Sequence, residues 1–252
     1  MKNISNVRLL AVVCVVVLVA TAGWSSQKQD VQQKELTLLA TINLPFTEPS
    51  GIAWSEKLQK LWVVSDDEDY IFILDPNGNV IDRFKFAAVD LEGITFDATD
   101  STLWTIDERT REITHLDLNG KVLERKIVDY PSRKKNKGPE GIAIGKDRKL
   151  YLLNESKPSL LFELDSSYGI AHSYKLDFAS DYSDIAYDES TNSFFILSDK
   201  SKAFFVWDPE RGVTAEYALP GTSNEGIAFD RKRNVFYIVN DEEARLYIYT
   251  CR

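Results

Sequence analysis

Cysteine is almost absent from this 252-residue chain: Cys14 lies in the N-terminal apolar run and Cys251 is the only one beyond it. One cysteine cannot close an intrachain disulfide, so even in an oxidising compartment the fold must be held by its core. Histidine is nearly as scarce, with His115 and His172 alone. No nucleophile–histidine arrangement stands out, and no glycine-rich loop opens a helix to cradle phosphate. Basic residues are outnumbered, 30 Lys and Arg against 39 Asp and Glu, for a formal net charge of −9. That argues against nucleic-acid binding, which needs a concentrated basic surface, and it is compatible with binding metal cations. The one basic cluster, Ser132 to Lys137, reads as a solvated loop.

The first thirty residues differ from the rest. Lys2 and Arg8 precede an apolar run from Leu9 to Ala22, and a polar stretch from Ser25 to Lys34 follows. This is the layout of a secretory signal with Ala20-Thr21-Ala22 as the cleavage site. A retained membrane anchor is the competing reading, although the run is shorter than the ~18–20 apolar residues that span a bilayer. Either way the folded part is exported, to the periplasm or to the outer side of the inner membrane. Residues 1–34 are therefore leader and polar linker, and 35–252 form the folded domain.

A repeat organises that domain. Its opening phrase reads Ser50-Gly51-Ile52-Ala53-Trp54, Glu92-Gly93-Ile94-Thr95-Phe96 and Glu140-Gly141-Ile142-Ala143-Ile144, then Ser183-Asp184-Ile185-Ala186-Tyr187 and Glu225-Gly226-Ile227-Ala228-Phe229. The second residues of these phrases are spaced by 42, 48, 43 and 42. A period near forty without helical patterning predicts four-stranded propeller blades. Each phrase leads to an apolar strand containing Trp62, Trp104, Tyr151, Phe195 or Tyr237, read as packing between blades. A third strand and a glycine turn such as Asn77-Gly78 follow, and then an outer strand. The fifth repeat ends after its third strand, while a spare segment, Glu35 to Leu44, precedes the first. The expected architecture is an all-β, five-bladed β-propeller with four antiparallel strands per blade, closed by that N-terminal strand.

Inner strands of a propeller converge on the channel mouth. The column before the glycine, Ser50, Glu92, Glu140, Ser183, Glu225, therefore gathers carboxylates around one opening, where they repel unless protonated, solvated or bound to a cation. Asp184, in a glycine's place, adds another. Hard oxygen donors of this kind suit Ca2+ or Mg2+, and calcium where many protein oxygens are available. Glu92, Glu140, Glu225 and Asp184 are the candidate ligands. A second polar column (Ser65, Asp107, Asn154, Ser198, Asn240) is followed at once by Asp66, Glu108, Glu155, Asp199 and Asp241. Turn capping accounts for these more simply than ligation; Asp107, Asn154, Asp199 and Asn240 form a secondary ligand set.

The Asp90-Leu91-Glu92, Pro139-Glu140-Gly141 and Glu225-Gly226-Ile227-Ala228 phrases, with the apolar N-terminal segment, resemble the SdiA-regulated (YjiK-like) family of bacterial envelope proteins, related to NHL propellers. The resemblance runs from about Leu36 onwards. It implies a five-bladed propeller with a calcium site, exported across or tethered to the inner membrane, and no established activity. Two functions are therefore expected to compete. One is a calcium-binding module or scaffold, monomeric, for an unknown ligand or envelope protein. The other is a calcium-dependent, lactonase-like hydrolase, for which Asp107 or Asp199 would transfer the proton.

Overall fold

The computed structural model describes residues 31–129, 138–155 and 157–251. The leader and the 132–137 basic cluster lie outside the described residues. Two strands precede the repeats, β1 (Gln32–Lys34) and β2 (Leu36–Asn43). Blade 1 comprises β3 (Pro49–Ser55), β4 (Lys60–Ser65), β5 (Tyr70–Leu74) and β6 (Val80–Lys85). Blade 2 comprises β7 (Leu91–Asp97), β8 (Thr102–Asp107), β9 (Glu112–Leu116) and β10 (Val122–Ile127). Blade 3 comprises β11 (Pro139–Ile144), β12 (Leu150–Asn154), β13 (Leu160–Leu164) and β14 (Ile170–Lys175). Blade 4 comprises β15 (Ile185–Asp188), β16 (Ser193–Ser198), β17 (Ala203–Asp208) and β18 (Gly212–Ala218). Blade 5 holds β19 (Asn224–Asp230), β20 (Val235–Asn240) and β21 (Arg245–Cys251), and β2 is its outer strand.

The repeat thus folds as five antiparallel sheets. Closure occurs where the missing strand predicts it: β2 pairs with β21, from Leu36 opposite Cys251 to Asn43 opposite Arg245. The inner strands touch in cyclic order, β3 to β7, β11, β15, β19 and back to β3. Five apolar clusters fill the five seams between blades. Each aromatic of the second-strand column sits in one of them, with Trp62 stacked on Phe96 of the next blade at 5.2 Å and Phe195 against Phe229 at 4.9 Å. Neighbouring blades bury each other, because a single sheet cannot cover its own two faces.

The polar stretch before the domain contributes one unexpected element. β1 runs parallel to β18, Gln32 opposite Ala215 through Lys34 opposite Tyr217, so blade 4 gains a fifth strand. The sheet therefore begins at Gln32, three residues ahead of the boundary drawn from the sequence.

Glycine in the inner strands allows the close approach that makes the channel narrow. A Cβ on Gly93 would lie 2.5 Å from the Glu140 carbonyl oxygen, and one on Gly226 would lie 2.4 Å from that of Ser50. Backbone cannot yield as a side-chain tip can. Gly93→Ala is expected to destabilise by on the order of 3 kcal/mol, the upper part of the usual overpacking range, as read by denaturant unfolding. A loss within about 0.5 kcal/mol, typical of an ordinary surface change, would contradict this packing.

Candidate cation site at the channel mouth

The strand starts at one end of the channel enclose a cavity of about 240 Å³. Ser50, Glu92, Glu140, Ser183 and Glu225 all line it, so the column predicted from the repeat converges as expected. Its carboxylates feel one another. Glu92 and Glu140 are pushed well above the ordinary glutamate range, first by burial and then by neighbouring charges that include each other or Glu225. Glu225 is pushed up to about 7 by burial, with Asp199, Asp241 and Asp181 adding repulsion against a hydrogen bond from Ser183.

Asp184 has a different place. It is 1% exposed, and its Oδ2 accepts the N–H of Ile227 at 2.9 Å. Burial pushes it well above the ordinary aspartate range, against the nearby backbone N–H groups of Ile227, Ile185 and Ile52, which favour its charged form. Ile227 belongs to blade 5, so the carboxyl group ties blade 4 to blade 5, with Ile52 of blade 1 nearby. Its Oδ1 has no hydrogen-bond partner. Asp184 is not among the residues that line the mouth cavity.

The two columns after the second strand take largely different roles. Asp107 Oδ2 accepts the N–H groups of Val89 and Asp90, and Oδ1 that of Thr110. Asn240 accepts from the Glu243 N–H and donates to the Thr222 carbonyl, and Asn154 donates to the carbonyl of Pro158. Ser65 accepts the N–H groups of Asp67 and Glu68. These side chains cap turns, and Asp107, Asn154 and Asn240 are not among the lining residues. The adjacent acidic column faces the cavity at four of five positions: Asp66, Glu155, Asp199 and Asp241. Asp199 both lines the cavity and accepts the N–H groups of Ser223 and Asn224. Glu108, the fifth, turns aside to accept the N–H of Gly138 at 2.8 Å.

Four further residues matter that the sequence did not single out as ligands or liners. Glu48, Asp181 and Lys200 line the cavity, and Asp90 stands beside it. Glu48, Asp90 and Asp181 share one offset, three residues before the glycine position; Gly138 and Ser223 complete that column. The offset was the available signal. One carboxylate oxygen each from Asp66, Asp90 and Glu92 lies within 4.8 Å of the others. Oxygens around one calcium ion, each 2.3–2.6 Å from it, fall within about that distance of one another. Without a cation, Asp66 is pushed up to about 6 by burial and by sharing a hydrogen bond with Asp90. Arg109 pairs with both oxygens of Asp90 at 3.1 Å and fixes its orientation. The donor set is hard oxygen throughout and fits a calcium-type ion. His115 meets Thr102 at 2.8 Å and stacks on Trp104, and His172 is exposed on an outer strand, so neither serves this cavity.

The sequence profile of the SdiA-regulated family matches residues 26–250. The chain belongs to the SdiA-regulated family. No curated protein matches it. Among solved structures, the glutaminyl cyclase of Myxococcus xanthus superposes with TM-score 0.71 at 8% identity, covering 88% of this chain and 98% of that one. A gluconolactonase from Xanthomonas campestris gives TM-score 0.59 at 15% identity, covering 86% and 89%. A streptogramin B lyase gives 0.50 at 18% identity, covering 85% and 73%. At these identities this SdiA-regulated protein shares a fold with enzymes of different chemistry, and the fold alone does not choose among them.

Proposed function

We propose that this SdiA-regulated protein is an exported, monomeric calcium-binding propeller that acts as a binding or scaffold module in the cell envelope. The observation that carries the reading is the convergence of Asp66, Asp90 and Glu92 oxygens within 4.8 Å of one another. Glu140 and Glu225 add carboxyl oxygens from other blades. The signal-like leader supports export. Calorimetric titration with calcium should give one site in the wild-type protein and at least tenfold weaker binding in Asp90→Asn, since affinity follows ligand charge. Equal affinity in the two would remove the site.

One observation favours a second reading, a calcium-dependent hydrolase. Glu225 lines the same cavity and titrates near 7, which suits a group that takes and returns a proton at neutral pH. Asp107 is unsuited to that role because backbone N–H groups occupy its oxygens. A panel of lactones and esters separates the readings. Chelator-sensitive turnover that disappears in Glu225→Gln would replace the binding-module reading with the hydrolase.

A further inference from the structure

Blade 2 departs from the repeat at three positions that meet in space. The third residue of the third strand is Phe72, Phe162, Phe205 or Tyr247 in the other four blades and Thr114 in blade 2. Its register partner on the second strand is Val63, Leu152, Ile196 or Ile238 in those four and Thr105 in blade 2. The connector entering the blade changes in step. Leu44, Phe86 and Leu176 are equivalent, since each donates its backbone N–H to the residue just before the third strand of the preceding blade. Two residues further on stand Phe46, Ala88 and Phe178. Phe46 stacks on Phe72 at 3.8 Å, and Phe178 packs against Phe205 at 5.0 Å. Blade 2 has Ala88 and Thr114 in the places where blades 1 and 4 pack one ring against another.

A cleft of about 400 Å³ opens there, with Phe86, Ala88, Leu91, Thr105 and Thr114 in its lining. All of these but Ala88 are buried, Thr105 to 1% exposure and Thr114 to 2%. Protein interiors leave few voids larger than a water molecule, and an apolar cavity of ~150 Å³ already takes up benzene. We propose that this cleft binds a neutral aromatic molecule of one or two fused rings, seated where blades 1 and 4 place their own phenylalanines. A hydroxyl or amino group on that ring meets the Thr105 and Thr114 hydroxyls, since a few placed polar groups orient a ligand in an otherwise apolar pocket. The charges at the rim are already matched, which favours a neutral ligand over an ion: Arg125 pairs with Glu112 at 2.6 Å, and Asp107 accepts the N–H groups of Val89, Asp90 and Thr110. The cleft shares no lining residue with the mouth cavity, so its occupancy does not depend on the cation site.

The test is calorimetric titration with 2-naphthol of the wild-type protein, Thr114→Phe and Ala88→Phe. Decahydro-2-naphthol, which has the same hydroxyl on saturated and non-planar rings, is the control ligand. Each substitution restores a ring that blades 1 and 4 carry at the same position, and unchanged circular dichroism checks the fold; should one variant fail to fold, the other decides. One 2-naphthol per wild-type chain is the expected result. Binding should be at least about tenfold weaker in both variants, because the new ring occupies the ligand's volume, and similarly weaker for the saturated alcohol. No saturable binding to wild type overturns the site. Equal affinity in wild type and a folded variant also overturns it, by placing the ligand elsewhere. Equal affinity for the two alcohols would refute the preference for an aromatic ring.

Discussion

Stripped of divalent ions by chelator, the protein should gain stability as the pH falls from 8 to about 5. The direction comes from carboxylates whose folded-state values are raised. Glu225 titrates near 7 in the folded protein against 4.5 for an unperturbed glutamate, because burial and its acidic neighbours disfavour its charge. Between those two values the folded state holds a proton that the unfolded state has released, so stability rises on acidification and falls as the pH climbs back through 7. For Glu225 alone the effect is about 3 kcal/mol, at about 1.4 kcal/mol per pH unit. Glu92 and Glu140 act in the same direction. Carboxylates held below the ordinary range, such as Asp75 and Glu163, give way only at lower pH, so the maximum should lie near pH 5. Thermal melts from pH 4.5 to 8.5 in chelator check this. A metal-free protein most stable at pH 7 to 8 would contradict it.

Neutralising one ring carboxylate should reverse two responses at once. Glu92→Gln keeps the shape of the side chain and removes a buried acid whose charged form is disfavoured by burial and by Asp66, Asp90, Glu108 and Glu225. Without calcium at pH 7.5, the variant should be more stable than wild type, by on the order of 1–3 kcal/mol, because folding no longer has to protonate a buried acid or bury its charge among other carboxylates. With calcium the order changes. At a free concentration about 100-fold above the dissociation constant, wild type gains about 2.7 kcal/mol by mass action. That corresponds to a rise in melting temperature on the order of 5–10 °C for a domain of this size, and the variant should lose most of it. Paired melts with calcium and with chelator read both effects. A Glu92→Gln protein that is less stable in chelator, or that keeps the full calcium response, contradicts the account.

The blade repeat was legible because glycine, apolar strand and turn recur at nearly constant spacing. Closure by β2 was legible because the fifth repeat stops after β21. β1 left no such trace: Gln32-Gln33-Lys34 has no apolar alternation, and backbone pairing with β18 holds it. At the site, the ring of Glu92, Glu140 and Glu225 followed from the geometry of inner strands. Asp184 did not, since it occupies a glycine position where the side chain turns into the channel and meets backbone N–H groups. Neighbouring residues of an extended chain point opposite ways, so Ser183 faces the mouth while Asp184 does not. The same alternation separates Asp107, which caps its turn, from the acidic column that follows it. The offset joining Glu48, Asp90 and Asp181 was present in the sequence. Gly138 and Ser223 broke its chemical uniformity, and the approach of Asp66 to Glu92 is made by two different blades, which no local pattern encodes.

The most direct measurement is a crystal structure grown in calcium, with the ion located by its anomalous scattering. A peak is expected at the channel mouth with Asp66, Asp90 and Glu92 among its oxygen ligands, at about 2.3–2.6 Å. A well-ordered mouth with water alone between those three side chains, at saturating calcium, would contradict it.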